Sequence, residues 1–302
     1  MNRWKLLLPL LLVTVLLPGA AGPVWALGPA TAPGPASGAA PASGAGSISP
    51  DWAATPTTVV RAYFVLADSM GVSPGLVPVL RVVPRTSAVA TAAVRQLLAG
   101  PSAIERAAHP PVLTAVPPGT RLLGIRIGGG IATVNLSHQF ASGGGSLSMF
   151  MRLGQLTWTV TQFPGVTGVR LQLDGKPVTT FSSEGIVLRG PLTRASFRDD
   201  ILAPITVDRP AYRAAFASGA HVRGVANVFE ATFRVAVLDA GRHVLVNRQV
   251  RATCGTGCWG GFDVTVSYSV GRAQWGWLRT WSASAKDGSP VHVREYPVWL
   301  TP

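Results

Sequence analysis

The sequence predicts two folded domains in tandem: an α+β domain with a mainly antiparallel sheet and two helices, followed by an all-β sandwich of the immunoglobulin type. The chain has 302 residues, of which 47% are hydrophobic, so it can fill the cores of about two domains. Strand-like and helix-like hydrophobic patterns alternate over residues 57–190, whereas residues 191–302 carry only strand-like patterns of useful length. We therefore predict a domain boundary between residues 190 and 191.

Residues 1–26 have the organisation of a secretion signal. Arg3 and Lys5 precede an uncharged apolar stretch at 6–17, and Val24-Trp25-Ala26 resembles a small-residue cleavage site. Without cleavage the stretch would be a membrane anchor, since no charged residue follows before Asp51. We favour cleavage. The protein is then secreted into the cell envelope and meets a membrane only if the signal is retained.

Residues 27–56 are predicted to form a tether between the signal and the first domain. Positions 28–50 are nearly all Gly, Ala, Pro and Ser. This composition cannot fill a core and is typical of a flexible to semi-extended linker.

The α+β domain is predicted over residues 57–190. Its strands are rich in β-branched and aromatic residues or flank glycine turns, and its helices carry apolar residues at helical spacing. In chain order we expect strands at 59–66 and 79–83, a helix at 88–99, strands at 121–127 and 131–136, a helix from 146 to 163, and strands at 169–173 and 177–180. Gly-Pro and Pro-Gly pairs end the two helices, and we expect Ser146 to cap the second.

The sandwich is predicted from a strict alternation of apolar and polar side chains. Residues 229–237 and 262–270 each place an apolar residue at every second position, which predicts strands with one face in the core. Turn sequences at 239–241 and 286–288 separate such runs. Strands recurring at short intervals over about a hundred residues favour an immunoglobulin-like sandwich.

Cys254 and Cys258 are the two cysteines of the chain. An even count in an exported chain indicates a disulfide, and the Gly-Thr-Gly between them permits the tight turn that so short a loop requires. A metal site would need about four ligands, and no histidine lies within ten residues of either cysteine. A redox-active pair would more usually have Cys-x-x-Cys spacing. We predict a structural disulfide at the tip of a hairpin.

No catalytic, cofactor or metal site is predicted. The five histidines are scattered, with no His-x-x-x-His or Gly-x-Ser-x-Gly spacing, and are expected to lie on the surface. Asp199-Asp200 is interpreted as a solvated pair or a helix start. Gly143-Gly144-Gly145 lacks the ending of a phosphate loop and is expected to be flexible. Glu230 is expected to pair with Arg234 on a strand surface. The chain is therefore predicted not to be an enzyme.

Basic residues outnumber acidic ones by 26 to 13, which gives a net charge of +13. Such an excess attracts anionic surfaces, such as wall polymers, peptidoglycan carboxylates or lipid headgroups. No nucleic-acid partner is predicted, because the chain is exported and no run of five basic residues occurs in it.

Trp275, Trp277, Arg279 and Trp281 alternate along one predicted strand and form the candidate binding surface. On an exposed face they would offer an aromatic platform to sugar rings or to a protein partner, with Arg279 available to anions. On the inner face the tryptophans would be sandwich core and Leu278 would face solvent. The pattern alone leaves both interpretations open.

Seven short segments after the tether resemble two known domains. LLAGP at 97–101, PGTRLL at 118–123, ATVNLS at 132–137 and TQFP at 161–164 are similar, in order and spacing, to the GerMN domain of bacterial sporulation and germination proteins. GVANVFEA at 224–231, DGS at 287–289 and PV at 297–298 resemble the immunoglobulin-like domain found beside it in spore-germination proteins.

The resemblance implies an extracytoplasmic envelope protein that assembles with envelope or spore-complex proteins and has no assigned catalytic site. It also implies that Leu278 is a core position, which would send the tryptophans to the opposite face. Many relatives are lipoproteins, but no cysteine lies near the end of the signal here, so no lipid anchor is expected. The predicted function is a scaffold in sporulation or germination. The alternative is a module that binds cell-wall glycan (peptidoglycan) or an anionic wall polymer.

Overall fold

The computed structural model describes residues 55–67 and 74–302, and it confirms the predicted fold class. The predicted signal lies outside the described residues, as does the predicted tether apart from positions 55–56. The first half contains β1 (Thr57–Leu66), β2 (Gly75–Pro84), α1 (Val89–Ala99), α2 (Ala103–Ala107), β3 (Val112–Leu113), β4 (Leu122–Gly128), β5 (Ile131–Leu136), α3 (Ser146–Val160), β6 (Gly168–Leu173), β7 (Lys176–Pro177), β8 (Thr180–Phe181) and β9 (Ile186–Val187).

These strands form two main sheets, ordered β2-β1-β3 and β4-β5-β6-β7, and a small β8-β9 hairpin. All pairings are antiparallel except β5 with β6, which α3 connects. Both predicted helices are present as α1 and α3. The short helix α2 was not predicted. No helix in the described part of the chain has the length and apolar character needed to cross a membrane.

The two predicted hairpins are confirmed by their turn conformations. Gly129 and Gly130, between β4 and β5, have φ of +56° and +78°. Asp174 and Gly175, between β6 and β7, have φ of +46° and +81°. Two successive positive φ values are the signature of the tight turn that matches the twist of paired strands. β7 is shorter than predicted, because it pairs with β6 over two residues alone.

Helix α3 covers one edge of β1 with polar side chains. β3 pairs with Val65 and Leu66 alone, so the earlier residues of β1 need other partners on that side. Gln155 donates from Nε2 to the carbonyl of Tyr63 over 3.0 Å, and Thr159 Oγ1 accepts the Tyr63 N–H over 3.0 Å. Gln162, from the TQFP segment, accepts the Arg61 N–H and donates to the Arg61 carbonyl. Side chains of α3 and of the segment directly after it therefore take the place of a neighbouring strand.

The start of α3 differs from the prediction. Gly145 is the cap residue and Ser146 is already helical, with its hydroxyl donating to Glu184. The glycine run before the helix is not the free loop expected. The guanidinium of Arg152, buried in the next turns of α3, donates to the carbonyls of Phe140 and Gly143 over 2.7 and 2.9 Å. This bonding ties the loop to the helix.

The second half is a two-sheet sandwich, as predicted. After the short helix α4 (Arg198–Ile201) come β10 (Ile205–Arg209), β11 (Ala215–Ala217), β12 (Ala220–Ala226), β13 (Thr232–Leu238), β14 (Val244–Arg251), β15 (Gly260–Val266), β16 (Gln274–Ala283) and β17 (Pro290–Thr301). The sheets have the orders β10-β12-β15 and β11-β17-β16-β13-β14. The rings of Phe233 and Phe262 meet between them at 4.9 Å, and the predicted turns at 239–241 and 286–288 lie between strands.

Two strand assignments need correction. The strand predicted at 262–270 ends at Val266, although the alternation of burial continues to Tyr268. The strand predicted from 229 begins at Thr232, because Phe229–Ala231 form a 3₁₀ turn in which Glu230 has φ +54°. Phe229 is therefore exposed. The predicted surface pair of Glu230 with Arg234 is wrong, since the guanidinium of Arg234 instead donates to Asn247 on β14 over 2.9 Å.

The two halves share a buried contact centred on Tyr212. Its N–H donates to the Pro78 carbonyl on the free edge of β2 over 2.9 Å, and its hydroxyl donates to the Pro110 carbonyl over 2.6 Å. Its ring is 2% exposed and belongs to one continuous hydrophobic cluster with side chains from both halves. The two domains therefore pack against each other and are not joined only by a flexible linker.

Candidate functional site

The tryptophans of β16 lie on the outer face of the five-stranded sheet. Trp275 is 42% exposed, and Trp277, Arg279 and Trp281 are partly exposed, whereas Leu278 between them is fully buried. Alternate residues of a strand face opposite sides of its sheet, so the four candidate side chains share the solvent side. Their role in binding remains a prediction.

A guanidinium group stacks on each of these three indole rings. The arginine carbon atoms lie over the ring centroids at 4.3 Å for Arg213 on Trp275, 4.4 Å for Arg242 on Trp277 and 5.9 Å for Arg234 on Trp281. We call Trp275, Trp277, Trp281, Arg213, Arg234, Arg242 and Arg279 the Trp–Arg face. Cation–π contacts within about 6 Å of the centroid stabilise both groups and hold the guanidinium in a fixed orientation.

Two of the stacked arginines occupy strained backbone positions. Arg213 has φ +59° and Arg242 has φ +67°, left-handed values that side chains other than Asn, Asp and Gly rarely adopt. The Arg213 N–H is held by the Pro297 carbonyl at 2.9 Å, and the Arg242 N–H by the Asp239 carbonyl at 3.0 Å. Such conformations cost roughly 1–3 kcal/mol each and persist where the surroundings fix them, often at functional sites.

One carboxylate sits among these cations. Glu295 accepts hydrogen bonds from Arg242 over 2.7 and 2.9 Å and from the Nε of Arg279 over 2.7 Å, and it is 5% exposed beneath them. The face therefore presents four guanidinium groups against one carboxylate. This excess of guanidinium groups favours contact with an anionic group.

The sequence pattern identified a single strand of this face. Arg213, Arg234, Arg242 and Glu295 come from other strands and turns, so strand alternation within 274–283 carried no signal for them. The predicted turn at 239–241 was the one local feature related to this face, because the Asp239 carbonyl in that turn accepts the N–H of Arg242.

A second group of polar side chains lies where the two domains meet. Tyr63 on β1 donates its hydroxyl to Asp208 on β10, and Arg194 contacts both, with one nitrogen 4.0 Å from the carboxylate. Arg194 also stacks over Trp158 at 4.3 Å. Burial, helped by the nearby Asp208 carboxylate, raises the pKa of Tyr63 far above its ordinary value. The hydroxyl thus stays protonated at neutral pH and serves as a structural donor.

Cys254 and Cys258 form the predicted disulfide, with their Cα atoms 5.8 Å apart. The bridge does not lie at a hairpin tip as expected. It closes the loop between β14 and β15, which belong to different sheets. The N–H groups of Thr256 and Gly257 in this loop donate to the Val228 carbonyl and the Asn227 side chain, so the bridge holds the end of the sandwich.

The histidines and Asp199 belong to neither of these two groups. All five histidines are exposed, and His138, His221 and His243 each contact one aspartate. Asp199 lies in the first turn of α4 and accepts the Trp259 indole N–H, in agreement with the predicted helix start. Within the described residues, no three or more His, Cys, Asp or Glu side chains are grouped to hold a metal ion.

These features define a two-domain protein whose aromatic and charged groups lie on a sheet face and at the domain boundary. Residues 61–179 match the family Germane, described as sporulation and spore germination. Residues 204–289 match Gmad2, the immunoglobulin-like domain of bacterial spore germination. The chain therefore carries, in tandem, two domains associated with sporulation and germination, which confirms the resemblance drawn from the sequence. The boundaries at residues 57, 190 and 191 remain predictions.

Three solved structures resemble parts of the chain at low sequence identity. Tandem GerMN domains of the sporulation protein GerM from Bacillus subtilis are 13% identical, with 82% of this chain and 61% of that chain covered, at a TM-score of 0.39. The first GerMN domain of the same protein is 17% identical, with 45% and 98% covered, at 0.35. A putative lipoprotein from Clostridium perfringens is 19% identical, with 46% and 88% covered, at 0.32. No curated protein gives a significant match.

Proposed function

We propose that the protein is a non-enzymatic, extracytoplasmic interaction protein of the bacterial envelope that holds partner proteins during sporulation or spore germination. The proposal rests on the observation that ionisable side chains which lie close together form ion pairs with one another. Those that the fold brings together bind one another as structural pairs, such as Arg81 with Glu105 over 2.7 Å and Arg242 with Glu295. The outer face of the five-stranded sheet is accessible, and such a surface suits association with a partner protein.

The test combines an activity assay with identification of neighbours. The purified full chain is incubated with peptidoglycan sacculi, and soluble fragments are followed by chromatography. In parallel, cross-linking with mass spectrometry on the native envelope identifies proteins within reach. We expect no release of wall fragments and reproducible cross-links to envelope or spore-complex proteins. Fragment release that disappears when one histidine or carboxylate is replaced would overturn the proposal.

The Trp–Arg face supports a second candidate function, the binding of an anionic wall polymer. Its four guanidinium groups exceed the single carboxylate of Glu295, and three of them lie over indole rings. A phosphate- or carboxylate-bearing polymer therefore fits this face better than a neutral glycan.

For this candidate we expect Arg213→Gln and Trp277→Ala each to weaken association with sacculi that carry teichoic acid by roughly three- to tenfold, because each change removes a cation or its support. Sedimentation at about 0.05 and 0.5 M salt should show weaker binding at high salt. Arg126→Gln on exposed β4 of the first domain is the matched control for charge and should change little. Equal binding to sacculi stripped of teichoic acid would contradict the polymer interpretation.

A further inference from the structure

A cleft of about 480 Å³ lies at the domain boundary, outside the Trp–Arg face. One wall is Arg194, which lies over the ring of the buried Trp158, together with Arg198 at the start of α4. The floor is the outer side of the three-stranded sheet, where Val225 of β12 lies beside Gly261 of β15. Concave sites of this size at domain interfaces are where proteins most often bind small molecules.

The cleft is open because Gly261 carries no side chain. A Cβ built on Gly261 meets no heavy atom within 4 Å, so packing does not require glycine at this position. Gly224 on the neighbouring strand differs, since a Cβ there would lie 2.0 Å from the Thr206 carbonyl oxygen. A side chain at position 261 would project over the floor beside Val225 and fill the space. The glycine thus keeps accessible a surface that a larger residue would cover.

The charges around the cleft leave one cation without a carboxylate. Arg194 lies 4.0 Å from Asp208, and Arg223 is bonded to Asp263 over 2.8 Å. Arg198 donates instead to the Arg194 carbonyl over 3.2 Å and lies 6.0 Å from the ring centroid of Trp259. The same indole donates to the Asp199 carboxylate over 2.7 Å, but among the described residues Arg198 itself forms no ion pair, so its guanidinium retains donors for an anionic group.

We propose that this cleft binds a small organic anion with a flat apolar body. The anionic group, a carboxylate, sulfonate or phosphate, bonds to Arg198 at the wall. The apolar body lies on Val225 and the backbone of Gly261 beside Trp158. This site is separate from the protein-contact role proposed above, since it takes a small molecule at the domain boundary.

The test uses two dyes that differ in charge. The full chain is titrated with 8-anilinonaphthalene-1-sulfonate, which has a flat apolar body and one sulfonate, and with the uncharged N-phenyl-1-naphthylamine. We expect the sulfonate dye to bind at the cleft with an affinity roughly tenfold higher than that of the neutral dye, because the neutral dye lacks the contact with Arg198. Equal affinity for the two dyes would overturn the anionic part of the proposal.

Three variants locate the site. Gly261→Phe fills the cleft and should weaken binding of the sulfonate dye by at least about tenfold, and Arg198→Gln by roughly fivefold. Gly128→Phe is the matched control, because Gly128 is also a strand glycine whose built Cβ meets nothing within 4 Å. Its affinity should equal that of the wild type. Circular dichroism establishes that each variant is folded. Unchanged dye binding in both folded Gly261→Phe and Arg198→Gln would overturn the proposal.

Discussion

Replacing Tyr212 with alanine is expected to split the thermal unfolding of the protein into two transitions. The Tyr212 ring packs in the hydrophobic cluster that both domains share, and its hydroxyl donates to the Pro110 carbonyl. Alanine removes both of these contacts and keeps the backbone bond from the Tyr212 N–H to Pro78. Burial raises the pKa of Tyr212 to about 12, so the hydroxyl is a donor throughout the physiological pH range. Removing a buried aromatic side chain costs about 3–5 kcal/mol, a large fraction of the roughly 5–15 kcal/mol of a typical domain.

The measurement is differential scanning calorimetry on the wild type and two variants. The wild type should unfold in one transition, because the shared hydrophobic cluster couples the domains. Tyr212→Phe keeps the ring and loses one hydrogen bond, so it should lower stability by about 1 kcal/mol and retain a single transition. If Tyr212→Ala also unfolds in a single transition, the coupling of the domains does not depend on this contact.

Features that depend on near neighbours in the chain were predictable. The turn at 129–130 needs two positive φ values, and glycine supplies them at little cost, so the β4–β5 hairpin follows from its own sequence. The alternation along β16 likewise established that Trp275, Trp277 and Trp281 share a face. The alternation could not tell whether this face is the inner or the outer one, because apolar residues occur on both sides of the strand. The resemblance to the immunoglobulin-like domain, which implies that Leu278 is a core position, was needed to choose the outer face.

Features that depend on distant parts of the chain were not predictable. The Trp–Arg face draws Arg213 and Arg242 from turns that approach β16 only once the sheet has formed. The cleft at Gly261 exists because the connecting segment packs against the sandwich, and a single strand glycine gives no sign of it. The run at 143–145 lacks the ending of a phosphate loop, which predicts a flexible loop, but the buried Arg152, several residues later, donates to the Gly143 carbonyl.

The second large effect is expected at Gln155, in the middle of α3. Glutamine is rarely found in a protein core, yet Gln155 is fully buried. Here its amide nitrogen donates to the Tyr63 carbonyl over 3.0 Å, and its amide oxygen accepts the Ala115 N–H over 2.7 Å. The side chain thus connects β1 to the segment after β3, where the sheet has no strand to pair them.

Gln155→Leu is therefore expected to lower the free energy of unfolding by about 4 kcal/mol, because two buried backbone groups lose their partners at about 1–3 kcal/mol each. Urea denaturation would measure the change. Gln172→Leu, on a partly exposed position of β6, is the matched control and should stay within about 0.5 kcal/mol of the wild type. Gln155→Glu keeps the shape, but its ionised carboxylate cannot donate to the Tyr63 carbonyl. At neutral pH the variant separates hydrogen bonding from volume and should destabilise at least as much as Gln155→Leu. Gln155→Leu within about 1 kcal/mol of the wild type would mean that the edge of β1 is satisfied by other groups.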